Sequence, residues 1–275
     1  MIRRVAFLAV PVVIALSLEG CALNLFEFER REAWRADEEQ ACMAARPFRR
    51  DDYITQARAI NDHGVCGMER PLQVAALTDG SVTVGPTATI GCPMTLALEQ
   101  WLAASVQPAA AARLGASVIA IDQMSDYACR TRNNQAGAEL SEHAFGNALD
   151  IGGFRLSDGR VVTVEDGWSG GSQAERDFLR EVHASACQYF KTVLGPGVAY
   201  HGDHFHLDLA HHNEAGTSVY CRPDAVVPPS RAPVFNLPVA ETPPSPILGF
   251  DRTPQATVFD PAEGGIADLI QSLGQ

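Results

Sequence analysis

Ser141-Glu-His-Ala-Phe-Gly-Asn-Ala-Leu-Asp150 and, downstream, His201-Gly-Asp-His-Phe-His-Leu-Asp208 are the two stretches on which the fold turns. In the second, polar His204, His206 and Asp208 alternate with apolar Phe205, Leu207 and Leu209. This is the period-two pattern of a strand over 204–208 with one face in a core and the other toward a cleft. In the first, Gly146-Asn147 is a turn signal between His143 and the apolar run 148–151, so the chain can present His143, turn, and return Asp150 from a short strand. Histidines and a carboxylate converging from two such segments are the ligand set of a catalytic zinc site, which keeps an open position for water or substrate.

Outward from these motifs, residues 74–77 and 117–122 read as strands and residues 95–106 and 175–190 as amphipathic helices. Phe178, Val182, Ala186 and Tyr189 share one stripe of the second helix. The mixture predicts an α+β fold: a small antiparallel sheet with flanking helices carrying the zinc site. Residues 42–222 are long enough for one domain with one core. Once Cys21 is set aside, Cys42, Cys66, Cys92, Cys129, Cys187 and Cys221 remain, with no C-x-x-C pair among them. Disulfides, not a thiolate metal site, are the expectation, and the spacing leaves their pairing open.

Arg3 and Arg4 precede an apolar run over 5–18 that is short for a membrane span and typical of a signal peptide. Residues 1–20 are read as a lipoprotein-type signal peptide, with Leu18-Glu-Gly-Cys21 as its processing site and Cys21 as the lipidated residue. Ala22 after it points to the outer membrane by resemblance to sorted lipoproteins. Ordinary cleavage after Ala22 is the alternative, giving a soluble periplasmic or secreted protein. Residues 21–41 form a charged tether or a helix leading into the domain.

Eight of the 17 prolines fall between Pro223 and Pro246, so 223–275 reads as a mostly extended tail. At its end Ile266, Leu269, Ile270 and Leu273 mark a short helix that docks on the domain or a partner, or a frayed terminus. A formal charge of −12 argues against nucleic acid as a partner. The membrane is reached through the Cys21 anchor, and an anionic substrate group would be met by local cations such as Arg130 or Arg132.

Tyr127-Ala-Cys129-Arg130, Ser141-Glu-His143-Ala, Asn147-Ala-Leu-Asp150-Ile, Trp168, Phe178-Leu-Arg, Val193-Leu-Gly-Pro196, Asp203-His-Phe-His206-Leu-Asp208 and Tyr220-Cys221-Arg222 occur in order. In this the chain resembles the bacterial extensin-like C-terminal domain family. Its Ser-x-His-x6-Asp motif and late histidine also resemble the zinc peptidases grouped around lysostaphin, the D-Ala-D-Ala metallopeptidases and the penicillin-insensitive murein endopeptidase. The resemblance implies zinc held by His143, Asp150 and His206. Asp203, three residues before the last ligand, ranks first as general base, with His204 behind it as second base or oxyanion stabiliser. Arg130 matches an arginine that steadies an oxyanion or a substrate carboxylate, and Ser141 either binds such a carboxylate or caps the turn before His143.

Asp208 is read as an orienter of a ligand histidine. His201, His211 and His212 are read as loop residues, and His63 and His183 carry no signal. The function implied is a zinc-dependent hydrolase of an amide bond in peptidoglycan stem peptides or cross-links. The alternatives are a metal-containing wall-binding or assembly module without turnover and a zinc hydrolase of a non-wall amide. The Glu-x-Trp-His form of the last motif is absent, and Asp203-His-Phe-His206 blends two branches, so the bond cut does not transfer with the metal site.

Overall fold

The computed structural model describes residues 31–45 and 53–224. The signal segment with Cys21 and the tail from residue 225 lie outside the described residues. Helix α1 (Ala33–Ala45) comes first, followed by short strands β1 (Ile54–Gln56), β2 (Ile60–Asn61) and β3 (Gly67–Met68). A hairpin of β4 (Leu72–Leu77) and β5 (Val82–Ile90) then forms, its turn made by Thr78 and Asp79 in the left-handed region at φ 52° and 54°.

Helix α2 (Cys92–Trp101) runs through a π-helical turn (Leu102–Val106) into α3 (Gln107–Leu114) and stops at left-handed Gly115. The helix expected over 95–106 is thus the middle of a longer one. Pro108, ordinarily a helix breaker, is accommodated where the π turn has already displaced the ladder that its missing N–H would interrupt.

Strand β6 (Val118–Ser125) precedes single 3-10 turns at Arg132–Asn134 and Glu142–Phe145, then β7 (Ala148–Leu156), β8 (Val161–Thr163) and the one-turn α4 (Val164–Gly167). Helix α5 (Gln173–Ala186) starts at a capping box in which Ser172 and Glu175 satisfy each other's backbone donors. It ends four residues short of the expected 190, so Tyr189 lies beyond it. Strands β9 (Thr192–Leu194), β10 (Phe205–Asp208) and β11 (Tyr220–Arg222) complete the order.

Nine strands form one sheet in the order β1-β4-β5-β6-β7-β10-β9-β11, with β8 beside β7, while β2 and β3 pair separately. The small antiparallel sheet of the sequence reading is corrected here: β5 pairs β6 in parallel, and β9 pairs β11 in parallel. The helical segment 92–114 carries the chain back to the other end of the sheet before β6 begins, which is the connection a parallel pair requires. The fold is a mixed sheet with helices.

Trp101, on α2, meets Phe154 and Phe190 edge-on, and Phe154 meets Phe178 of α5 in the same way. The indole N–H of Trp101 donates to the Val182 carbonyl at 3.1 Å, so the aromatic core leaves no buried donor there. Three disulfides settle the pairing: Cys42–Cys92, Cys66–Cys129 and Cys187–Cys221. The first pins α1 to the start of α2, so over 33–41 the lead-in helix replaces the tether. Among the described residues no helix is long and apolar enough to cross a membrane.

Candidate metal centre

Strands β7 and β10 pair antiparallel with Asp150 opposite His206, Leu149 opposite Leu207 and Ile151 opposite Phe205. Alternation sends the four apolar side chains into the core, where all are fully buried, and leaves Asp150, His206 and Asp208 on the opposite face. His143 arrives from the 3-10 turn. Ser141 is its N-cap, and Gly146 at φ 63° closes it, at a place where a Cβ would overlap the Met68 side chain. The Gly91 N–H holds the Gly146 carbonyl at 2.7 Å, fixing the turn against the start of α2.

Asp150 Oδ1 lies 3.2 Å from His143 Nε2 and 2.8 Å from His206 Nδ1, and the two nitrogens are 3.2 Å apart. On the far side of each ring the other nitrogen is committed. His143 Nδ1 is 2.7 Å from the Asp126 carbonyl, and His206 Nε2 is 2.9 Å from Asp208 Oδ2. Those acceptors assign the ring protons outward, so two bare nitrogens and a carboxylate oxygen face one another. Three acceptors in contact repel unless a cation sits among them. The three ligand atoms lie within 4.8 Å of one another, close enough for one ion.

The electrostatics agree. Burial opposes a charge on His206, yet hydrogen bonds and charges from Asp150 and Asp208 outweigh it and push its pKa up to about 10. Burial would raise Asp150, but the His143 and His206 rings against it, when either carries an inward proton, hold it well below the usual carboxylate range. Asp208 is lowered too, because its bonds from His206, Thr192 and the Ala210 N–H outweigh burial. The cluster favours positive charge, as a proton in its absence or a metal ion in its presence.

A cavity of about 550 Å³ opens over the cluster. Arg130 lines it, with Nη2 3.6 Å from Asp150 Oδ2. His204, just before β10, lines it as well, with Nε2 3.9 Å from Asp150 Oδ1. The His204 Nδ1–H donates to Asp203 Oδ1 at 2.7 Å, and the Asp203 side chain is 48% exposed and outside the cavity lining. Ser141 caps its turn and also faces the cavity.

A family model for the extensin-like protein C-terminus matches residues 40–222. The chain belongs to that family. No curated protein and no solved structure matches the chain.

In this extensin-like domain the structure brings together His143, Asp150 and His206, and puts Arg130, His204 and Ser141 around the same cavity. As strand alternation leads one to expect, His204 turns its ring toward the cluster beside His206, while Asp203, in the loop before it, pairs with the His204 Nδ1–H and does not line the cavity. Cys21 lies outside the described residues. Two cavity residues were missed. His201, read as a loop residue, is buried, its ring 5.2 Å from His204 and 5.8 Å from His206, with its Nδ1–H on the Ala199 carbonyl. Burial lowers its pKa. His212 Nε2 pairs with Thr192 Oγ1 at 2.9 Å, and both residues line the cavity. The one legible signal for His201 was its position three residues before His204. A second group, Asp62, His63 and Cys129, is not a metal site, since the Cys129 sulfur is bonded to Cys66.

Proposed function

We propose that this domain is a zinc-dependent hydrolase that cleaves an amide bond in peptidoglycan peptides. The observation that carries the reading is the convergence of three acceptors, His143 Nε2, Asp150 Oδ1 and His206 Nδ1, beneath an open cavity that Asp150 and His206 line together with Arg130 and His204. A purely structural zinc more often has four protein ligands and no cavity. The residues fit the ion. His143 and His206 offer their lone pairs inward because the Asp126 carbonyl and Asp208 hold their outer N–H groups, the carboxylate–histidine arrangement that usually backs a metal ligand.

Bound there, zinc would polarise an amide carbonyl and make a water acidic enough to yield hydroxide near neutral pH. His204 is the proton carrier in this reading. Asp203 keeps its Nδ1 protonated and so leaves Nε2 free to take a proton toward the cluster and return it to a leaving amine. Arg130 offers a planar fork to a developing oxyanion or to a substrate carboxylate. The likeness of Ser141-x-His143-x6-Asp150 and His206 to the lysostaphin, D-Ala-D-Ala metallopeptidase and murein endopeptidase group supports both the ion and the substrate class. Three disulfides support an oxidising compartment, in keeping with an exported, Cys21-anchored protein of the periplasm.

The test is digestion of purified sacculi by the zinc-loaded protein, with products read by mass spectrometry. Release of cleaved stem peptides that stops with a chelator and returns with zinc is the expected result. Retention on sacculi without any new product moves the domain to the wall-binding class.

A further inference from the structure

Arg35 of α1 reaches a residue 107 positions away and grips it with both arms. Its Nη1 donates to Glu142 Oε2 at 2.6 Å and its Nη2 to Glu142 Oε1 at 2.8 Å. The Arg35 guanidinium also lies over the Trp34 and Phe145 rings, at 4.3 and 4.0 Å from their centroids. Glu142 is buried, and it is the residue immediately before His143 in the turn that presents that ligand. The same carboxylate takes the Asn147 side-chain N–H at 2.8 Å, and the Glu142 carbonyl takes the Asn147 backbone N–H, so Glu142 ties both ends of the turn together.

A second contact of α1 falls on the loop after β10. Trp34 stacks flat on His211, with ring centroids 3.7 Å apart and planes 8° from parallel, and His211 Nε2 lies 3.0 Å from Glu38 Oε1. His211 neighbours His212 on the cavity wall and follows Asp208 by three residues. The loop it belongs to is joined back to the turn by the Leu209 N–H on the Asn147 carbonyl at 3.2 Å.

We propose that α1 is a positioning element of the metal centre: Arg35, acting through Glu142, holds the turn that carries His143, while Trp34 and Glu38 hold the loop behind Asp208 and His212. The inference rests on the metal reading above. These three residues precede residue 40, where the family match begins, so the working unit extends upstream of the family region. The physical reason is that a buried carboxylate stripped of this forked partner must be rehydrated or find another, and either movement swings the turn and the His143 ring with it. An outer-shell group that fixes a ligand's orientation is felt in metal affinity, not only in fold stability.

The experiment is a cobalt(II) titration of the full chain, followed by visible absorption, beside thermal unfolding of the metal-free protein. Arg35→Met should bind cobalt about 10-fold more weakly than wild type, the low end of the usual outer-shell effect, with an altered ligand-field spectrum. Arg35→Lys keeps the charge without the fork and should fall between them. The control is Arg113→Met, which removes an ion pair to Glu181 between α3 and α5. It should lower the unfolding temperature and leave cobalt affinity and spectrum unchanged. Arg35→Met with wild-type affinity and spectrum, or with tighter binding, overturns the proposal, as does an equal loss in Arg113→Met. If Arg35→Met does not fold, Trp34→Leu is read by the same two outcomes. Absence of cobalt binding by the wild type overturns the metal reading itself, and this inference with it.

Discussion

Two histidines are buried in this domain to nearly the same degree, His206 at 8% exposure and His183 at 1%, and their environments drive them in opposite directions. His183, on α5, sits between the rings of Trp168 and Phe205. Its Nε2–H donates to the Arg222 carbonyl, its Nδ1 has no partner among the described residues, and burial lowers its pKa to about 4. His206 has a carboxylate at each nitrogen, and despite burial it is pushed up to about 10. Burial alone makes a neutral packing residue; burial between carboxylates makes a place for a cation.

The largest effect should come from exchanging these two sites under the same assay. His206→Ala removes one of three protein ligands and should cost more metal affinity than the roughly 10–100-fold typical of an outer-shell partner, with peptide release from sacculi lost as well. His183→Phe, which keeps the ring and removes the nitrogens, should bind zinc as the wild type does. Equal zinc uptake by both variants breaks the comparison.

Next in size is the proton carrier. His204→Gln should keep zinc and fold yet slow hydrolysis by on the order of 10²–10⁴, the usual contribution of a general base. Asp203→Asn removes only the group that orients His204 and should slow it by about 10–100-fold. Single-turnover rates on stem peptides measure both. A greater loss in Asp203→Asn returns the role of base to the carboxylate.

A smaller effect separates the histidines by acid. The unfolded chain binds a proton at His183 near the ordinary 6.5, whereas the folded state binds it only near 4. Neutral His183 therefore contributes stability that is fully present above about 6.5 and is lost as pH falls toward 4, at most about 3 kcal/mol. Denaturant midpoints for wild type and His183→Phe should diverge across that window, with the variant losing less. Parallel curves would show that His183 is not the group that titrates.

The part of the site that was legible in the sequence was its strand register. Period-two alternation placed His206 and Asp208 on one face, and the turn signal at Gly146-Asn147 returned Asp150 to meet them. What escaped depends on contacts far apart in the chain. The parallel β5/β6 pair follows from where the 92–114 helical segment returns the chain, which alternation does not encode. That Asp203 pairs with the His204 ring instead of lining the cavity depends on the course of the loop before β10, which no local pattern encodes. His201 enters the cavity through the course of the 195–204 loop, and the Arg35–Glu142 bridge joins residues 107 apart. Six similar cysteines could not choose among themselves; only the packing of α1 on α2 and of α5 near β11 did so.

The most direct test of the central claim is a crystal of the wild-type protein grown with zinc, with anomalous data collected at the zinc edge. The account predicts one strong peak at about 2.0–2.2 Å from His143 Nε2, Asp150 Oδ1 and His206 Nδ1, with its open side toward the cavity. A peak bound elsewhere, or none at these three atoms in zinc-saturated crystals, would contradict it.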